Sequence, residues 1–480
     1  MTINLNLKKS VEKSFPFLIV VFIVVILIVS FGQVPRWDLL EQIAMADNYI
    51  ANGALYSEPE SDILHGHTVY FPGLAYLAVA LKTIGIDYYL VEVMHVLSVI
   101  VLLLFMHVLS RYATQLSKNL YPPHYFYPLF IAYFTIALTH YAKYALEFKP
   151  DTLALLMGYV GLSLIWTNKN SIGKFFTGIF LITVALVFKQ QYIAFLAGLF
   201  LVSFFVKNRK FRLGAWLAII FSTAIFLVLI SDENVRFWSI QVLSDDGILS
   251  LNQIIRGVIL TSKGLLLFGI LFILGKNSKE AISFKVPNLS LDYVKSIGIN
   301  NPWYVITLFV FGASLLSFLK VGGNTGNMQL ALAVIFPIAG LISKYFVKWK
   351  MILIAWFGVV LFMFNELPNQ LKQYRAAIEL KNQVENLKFD DSYKVLTGSD
   401  VYFASRYLSR EGVVLENYWA SSVNENISLE TSLISKIERN KYDYLVLENF
   451  NGNINLLLNS KDYEIYFVNS LGIIAKLRTT

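Results

Sequence analysis

Cysteine is absent from the 480 residues, which excludes disulfides, thiolate nucleophiles and cysteine-bound metals. Charge is scarce as well. Asp, Glu, Lys and Arg make up 15% of the chain, against about a quarter in soluble domains, so most of the polypeptide is expected in lipid. Of the six histidines only His65 and His67 stand close together, and no third ligand accompanies them. A metal site is not supported by such a pair, and a substrate-facing hydrogen-bonding role suits it better. No cofactor follows from the sequence, and a divalent metal has no support in it. The formal charge of +8 is not gathered into a basic cluster with interleaved aromatics, which argues against a nucleic-acid partner. No small-residue cleavage pattern follows the first apolar run, so it reads as a retained helix rather than a signal peptide.

What is present in abundance is apolar runs: 56% of the residues are hydrophobic. Runs long enough to approach the roughly 30 Å of a hydrocarbon core lie near 15–34, 89–110, 124–141, 152–167, 175–188, 191–206, 213–231, 256–275, 302–319, 328–343 and 351–366. The expectation is a polytopic α-helical membrane protein of about eleven spans. If Lys8, Lys9 and Lys13 are cytoplasmic, alternation puts Arg111, Lys118, Lys169, Lys174, the run KNRKFR (207–212), the loop 276–301 and SKYFVKWK (343–350) on the same side. The opposite face then receives 35–88, HYAKYALEFKPD (140–151), FKQQY (188–192), 231–247, KVGGNTGNMQ (320–329) and everything after the last span. A multi-pass protein of the plasma (inner) membrane with an extracytoplasmic C-terminus is the implied localisation.

Two outer segments have structure of their own. In WDLLEQIAMADNYIANGALY, Leu39, Leu40, Ile43, Ala46 and Ile50 recur at helical spacing, with Asp38, Glu41 and Asp47 on other faces. That pattern predicts an amphipathic helix in the interface plane, Glu41 and Asp47 being solvated, and FPGLAYLAVALKTIG (71–85) predicts a second interfacial or re-entrant helix. After 367 the chain changes character. NQLKQYRAAIELKNQVENLK reads as an amphipathic helix leaving the membrane. KVLTGS, GVVLEN, YDYLVLEN, EIYFVN and GIIAKLR read as five short strands, separated by Gly, Asn and Asp. The expected organisation is a membrane domain 1–367, with 35–88 as its first outer loop, and an outer α/β domain 368–480.

The polar residues on the outer face suggest chemistry. Asp38 lies just beyond the first span, placed either to cap a helix or to act as a base. In EFKPD, Pro150 suits the first turn of a helix and Asp151 complements its dipole. Lys149 stands beside that N-terminus, where backbone N–H groups and a point charge together favour a phosphate. Lys189, Gln190 and Gln191 interrupt an otherwise apolar stretch at a position where short turns ordinarily use Gly, Ser or Asn. KVGGNTGNMQ offers Lys320, Asn324 and Asn327 with three glycines that permit close backbone approach, in no Walker-type spacing.

Taken together, these segments resemble the GT-C superfamily of integral-membrane glycosyltransferases, in its bacterial branch related to protein mannosyltransferases and aminoarabinose transferases. PRWDLLEQIAMADNYIANGALYS is similar to the acidic first-loop motif, VYFPGLAYLAVALKTIGID to the aromatic-Pro segment and its helix, and EFKPD, FKQ and GGNTGN to later outer-loop motifs. The resemblance implies a sugar transfer from a polyprenyl-phosphate-linked donor to a glycan, glycolipid or protein acceptor. It makes Asp38 the base for the acceptor, with Glu41 as a candidate second acid because Leu39 stands where many relatives have one. It makes Lys149, Lys189 and Lys320 donor-phosphate contacts. His65, His67, Tyr70, Glu147, Asp151, Gln190, Gln191, Asn324 and Asn327 are the expected substrate-binding set. The rival classes are a flippase or transporter for a lipid-linked glycan and a polysaccharide polymerase or ligase. A transporter should carry charge at the midplane of its spans, and here the span interiors are nearly free of it.

Overall fold

The computed structural model describes residues 5–32, 37–56, 71–87, 89–117, 120–137, 146, 150–167, 171–189, 192–241, 255, 269–270, 273–275, 302–319, 346–387, 394–398, 401–405, 413–416, 442–449 and 462–478. Within these ranges every predicted apolar run is helical: α2 (Phe15–Gly32), after a short α1 (Leu5–Lys13); α5 (Leu90–Leu116); α6 (Tyr127–Ala132); α7 (Pro150–Thr167); α8 (Ile172–Phe188); α9 (Ile193–Phe205); α10 (Arg209–Ser231); α11 (Pro302–Leu319); and α12 (Lys348–Asn386). α3 (Trp37–Asn52) and α4 (Gly73–Thr83) are the two helices expected in the first outer loop. The runs predicted at 256–275, in large part, and at 328–343 lie outside the described residues.

Among the described residues, four helices are long and apolar enough to cross a membrane: Phe15–Gly32, Leu90–Gln115, Arg209–Ser231 and Lys348–Asn386. α8 and α9, at 17 and 13 residues, are shorter apolar helices. The predicted span 124–141 is composite. It enters through a tight turn at Pro123–Tyr125, forms α6, then widens into a π-helical turn at Tyr133–Ala137. Thr135, inside that turn, donates its hydroxyl back to the Ile131 carbonyl at 2.7 Å, the kind of competition that loosens a regular helical ladder.

The chain divides into two compact units. The first comprises 1–30, 95–228 and 247–367. Glycines bring its helices together: a Cβ on Gly161 of α7 would lie 2.6 Å from the Gly178 carbonyl of α8, and one on Gly198 of α9 would lie 2.9 Å from the backbone of Ile306 in α11. Aromatic rings fill the remaining space. Tyr112, Tyr159 and Trp303 are buried together, the Tyr112 hydroxyl donating to the Tyr159 carbonyl at 2.6 Å and the Tyr159 hydroxyl pairing with Thr307 at 2.7 Å.

The second unit comprises 31–94, 229–246 and 368–480. Its sheet contains all five predicted strands, β1 (Val395–Gly398), β2 (Val413–Glu416), β3 (Tyr444–Glu448), β4 (Tyr463–Val468) and β5 (Gly472–Leu477), in the order β2-β1-β3-β5-β4. β1 pairs in parallel with β2 and β3, whereas β5 runs antiparallel between β3 and β4. Alternation sets the two faces. Leu396, Leu445, Leu447, Ile473 and Ala475 pack with Tyr442 and Tyr463 on one side. Val395, Tyr444, Val446 and Ile474 pack on the other against Leu380 and Val384 of α12 and against Val401 and Ala404. The amphipathic helix expected after the last span is the continuation of that span, since α12 runs unbroken for 39 residues through Pro368.

The first-loop helix departs from its expected amphipathic form. Residues 39–46 of α3 are buried without a gap, so Glu41 is enclosed at 1% exposure rather than solvated. Ile50, expected on the apolar stripe, is 44% exposed. Asp47 is not a free solvated carboxylate either, because it pairs with Lys82 of α4. The physical reason is enclosure on all sides: a helix buried all round carries no period by which its wet face could be read.

Candidate functional site

The residues singled out from sequence fall into both units, and each group is built differently. In the second unit Asp38 lies in the first turn of α3, three and four residues before Glu41 and Gln42, a spacing that puts the three positions on one helix face. Glu41 and Gln42 are fully enclosed, and among the described residues neither amide atom of Gln42 has a hydrogen-bond partner. An unsatisfied buried amide costs about 1–3 kcal/mol, a large fraction of a domain's stability, so it marks a place built for something other than packing. Gln42 was not among the residues the sequence motifs pointed to. Its spacing from Asp38 was the available signal.

Behind that turn, α3 is tied to α4 by charge. The Lys82 ammonium contacts Asp47 and lies 2.9 Å from Asp87, with its side chain only 6% exposed. Two carboxylates on one enclosed lysine fix the end of α4 against the C-terminal half of α3. Tyr49 and Tyr76 meet edge to face with ring centroids 6.1 Å apart. Tyr56 is buried and its hydroxyl bonds to Ser239; burial is the largest influence on it and raises its pKa. The Tyr76 hydroxyl is raised by partial burial and by the neighbouring Tyr49 and Asp232. Asp232 itself caps the short helix Glu233–Arg236, accepting from the N–H groups of Asn234 and Val235. Tyr56 and Tyr76 therefore stay neutral donors at physiological pH, suited to hydrogen-bonding hydroxyl groups.

In the first unit Lys189 occupies the break between α8 and α9. Its backbone is extended (φ −149°, ψ 118°), its carbonyl accepts from the Tyr192 N–H at 3.0 Å, and it is 3% exposed. A buried ammonium is retained only where polar or anionic groups compensate its desolvation. α9 begins at the next turn, and Tyr192, its N-cap residue, supplies no side-chain cap, so the first N–H groups of α9 add positive potential close by. The Tyr192 side chain is buried over Gly158 of α7, where any Cβ would collide with its hydroxyl. Pro150 opens α7 as expected, with Asp151 in its first turn. The structure thus buries Lys189 within the first unit, in the turn between α8 and α9.

His65, His67, Tyr70, Glu147, Lys149, Gln190, Gln191, Lys320, Asn324 and Asn327 lie outside the described residues. Among the described residues no group of three or more His, Asp or Glu side chains is arranged to hold a metal.

No protein-family model matches the sequence, and no curated protein does. Solved structures do match. ArnT from Cupriavidus metallidurans bound to undecaprenyl phosphate superposes with a TM-score of 0.51 at 12% identity, covering 96% of this chain and 97% of that one. The same protein in the apo state gives 0.50 at 12% identity over 95% and 97%. The archaeal oligosaccharyltransferase AglB from Archaeoglobus fulgidus, in complex with an inhibitory peptide and a dolichol-phosphate, superposes less closely, at 0.48 and 11% identity over 90% of this chain and 69% of that one. From its first helix to its C-terminal sheet, the chain has the fold of ArnT, in keeping with the fold its outer-loop motifs led one to expect.

Proposed function

We propose that the protein is a membrane glycosyltransferase that moves a sugar from a polyprenyl-phosphate-linked donor to a cell-envelope glycan, glycolipid or protein acceptor on the extracytoplasmic face. The observation that carries this reading is likeness in fold over essentially the whole chain to a protein solved with undecaprenyl phosphate bound. In this reading the chain has about eleven spans, a cytoplasmic N-terminus and an outer α/β domain from 368 onward. Asp38 is the base that takes the proton from the acceptor hydroxyl as the glycosidic bond forms, and Glu41, enclosed one turn further along, supports it or substitutes for it. Gln42 supplies a donor and an acceptor to substrate hydroxyls. Lys189, Lys149 and Lys320 stabilise the negative charge that collects on the departing lipid phosphate. Glu147, Asp151, Gln190, Gln191, His65, His67, Tyr70, Asn324 and Asn327 contact the sugar or the acceptor.

Supporting evidence comes from Lys189: a cation enclosed where a helix ends and another begins matches the requirement for desolvated charge near a phosphate. The test is Asp38→Asn with two readouts. Sugar transfer from purified polyprenyl-phosphate sugar should fall to background while undecaprenyl phosphate still binds. Near-normal turnover in that variant would remove Asp38 from the mechanism. Mass spectrometry of the co-purifying lipid decides between classes: a polyprenyl monophosphate or its sugar ester supports the transferase, and a diphosphate-linked oligosaccharide points to a polymerase, ligase or flippase.

A further inference from the structure

The fold of the first unit draws lysines from the two ends of its sequence to one end of two neighbouring apolar helices. The first turns of α12 pass the start of α2. The Trp356 indole N–H of α12 donates to Ser14 Oγ, just before α2, at 3.1 Å, and the Phe17 and Trp356 rings lie 5.7 Å apart. The ammonium of Lys348, the first residue of α12, is 5.4 Å from the centre of the Phe15 ring. A third segment meets them there. The Tyr125 hydroxyl, in the turn before α6, donates to the Phe346 carbonyl at 2.7 Å, and the Val347 N–H donates to the Gly275 carbonyl at 2.8 Å. The lysine backbone is therefore held from several sides.

Charge at this end is almost all of one sign. Residues 5–17, 121–127 and 346–356 contain five lysines, Lys8, Lys9, Lys13, Lys348 and Lys350, against a single acid, Glu12. On α1 Val11 is buried while Lys8, Lys9 and Lys13 are exposed. Lys348 and Lys350 are half-buried at the start of α12, and His124 stands within reach of the Lys348 charge. Among the described residues Lys8, Lys9, Lys13 and Lys348 enter no ion pair, although Glu12 is one helical turn from Lys8. Like charges held together repel, and an anion bound among them relieves that repulsion.

Depth decides which anion. α2 and α12 are both long and apolar enough to cross a membrane, so the lysines at their shared end stand at the level of lipid headgroups. Trp349 and the stacked rings of Tyr121 and Tyr125, with centroids 4.3 Å apart, are the side chains enriched at that level. Phe17 and Val20 of α2 and Phe357 of α12 are exposed one to three turns from the lysines. A phospholipid can lay its acyl chains against these side chains while its phosphate meets the cations. A soluble anion gains only the second contact.

We propose that this end of the first unit is a binding site for an anionic phospholipid, with Lys13 and Lys348 as its headgroup contacts and Lys8, Lys9 and Lys350 as the surrounding positive field. In the orientation expected from sequence, the site lies on the face opposite the sugar donor, and it does not depend on the transferase reading.

The experiment titrates the delipidated full-length protein in detergent with dioleoyl-phosphatidylglycerol or dioleoyl-phosphatidylcholine. Bound lipid is read by native mass spectrometry and by the rise in melting temperature. Wild type should bind phosphatidylglycerol about tenfold more tightly than phosphatidylcholine, and the preference should shrink as salt is raised. Lys13→Gln/Lys348→Gln should cut it to about twofold or less. Lys174→Gln/Arg212→Gln removes the same charge from exposed positions of the same unit and should leave it near tenfold. Equal losses in the two variants would overturn the site, because net charge alone would then account for the preference. Inorganic phosphate and glycerol 1-phosphate should not displace phosphatidylglycerol, and displacement by either would overturn the lipid assignment. Lys189→Met should keep the preference, and its loss there would move the lipid to the α8–α9 break and sink the proposal. Absence of sugar transfer by wild type bears on the function alone. Should Lys13→Gln/Lys348→Gln fail to fold, Lys8→Gln/Lys9→Gln takes its place: about a threefold fall in preference supports the site, and an unchanged preference overturns it.

Discussion

Two helix pairs, one from each unit, are joined by opposite devices. α7 and α8 approach through glycine, with no room for a methyl group between Gly161 and the Gly178 carbonyl, and the side chain nearest the contact is Ile182. α3 and α4 are joined through charge, with Lys82 between Asp47 and Asp87. The difference follows from what surrounds each pair in a membrane protein. Between apolar helices surrounded by lipid, the tails are as apolar as leucine, so association depends on close backbone contact. An ion pair suits a place where at least one partner keeps water, and both carboxylates do: their side chains are 30% and 42% exposed.

That comparison can be broken by substitution. The largest effect is expected from Gly161→Leu, whose side chain has no rotamer that clears Gly178 and Ile182. It should cost more than the about 1–3 kcal/mol typical of overpacking and lower the folded yield in detergent, read by size-exclusion chromatography and thermal unfolding. Lys82→Met comes next. It keeps the stem but leaves two carboxylates facing each other, at about 1–2 kcal/mol, below the ~3–5 kcal/mol of a fully buried pair because both acids keep water contact. Asp87→Asn should cost about 0.5 kcal/mol or less, since Asp47 still holds the lysine. Gly173→Ala is the control for the glycine argument: nothing lies within 4 Å of its Cβ, and a helical alanine should leave stability unchanged or raise it by up to about 1 kcal/mol. If Gly161→Leu were tolerated while Lys82→Met unfolded the protein, the assignment of devices to environments would be reversed.

The sheet was the most legible part of the chain. Its strands are rich in β-branched and aromatic residues and are cut by Gly, Asn and Asp, so all five could be located in advance, although their order could not: the placement of β5 between β3 and β4 depends on pairings across the chain. The helices were legible as apolar runs, apart from the π turn in the third. The candidate site was legible in part. Lys189 stood out because a lysine interrupts an apolar stretch, but its burial did not. Glu41 and Asp47 were misjudged because one helical period was taken to imply one wet face. The unit that holds α3 also includes 229–246 and 368–480, and no local pattern reports cover from residues so distant. Nor could sequence alone pair the Leu146 carbonyl with Ser30 and Ser98, which lie 116 and 48 positions away.

α12 has a consequence for how this architecture can be recombined. Leu380 and Val384 belong to the hydrophobic core of the sheet, and Asn469 reaches back to donate to the Ala376 carbonyl at 2.7 Å. The tail is therefore not a cassette that starts where the helix ends. A transplant of the C-terminal sheet domain onto another scaffold, or its production as a separate fragment, would have to carry the helix from before Ala376. A cut at the end of the helix would leave a five-stranded sheet with one face stripped of Leu380 and Val384.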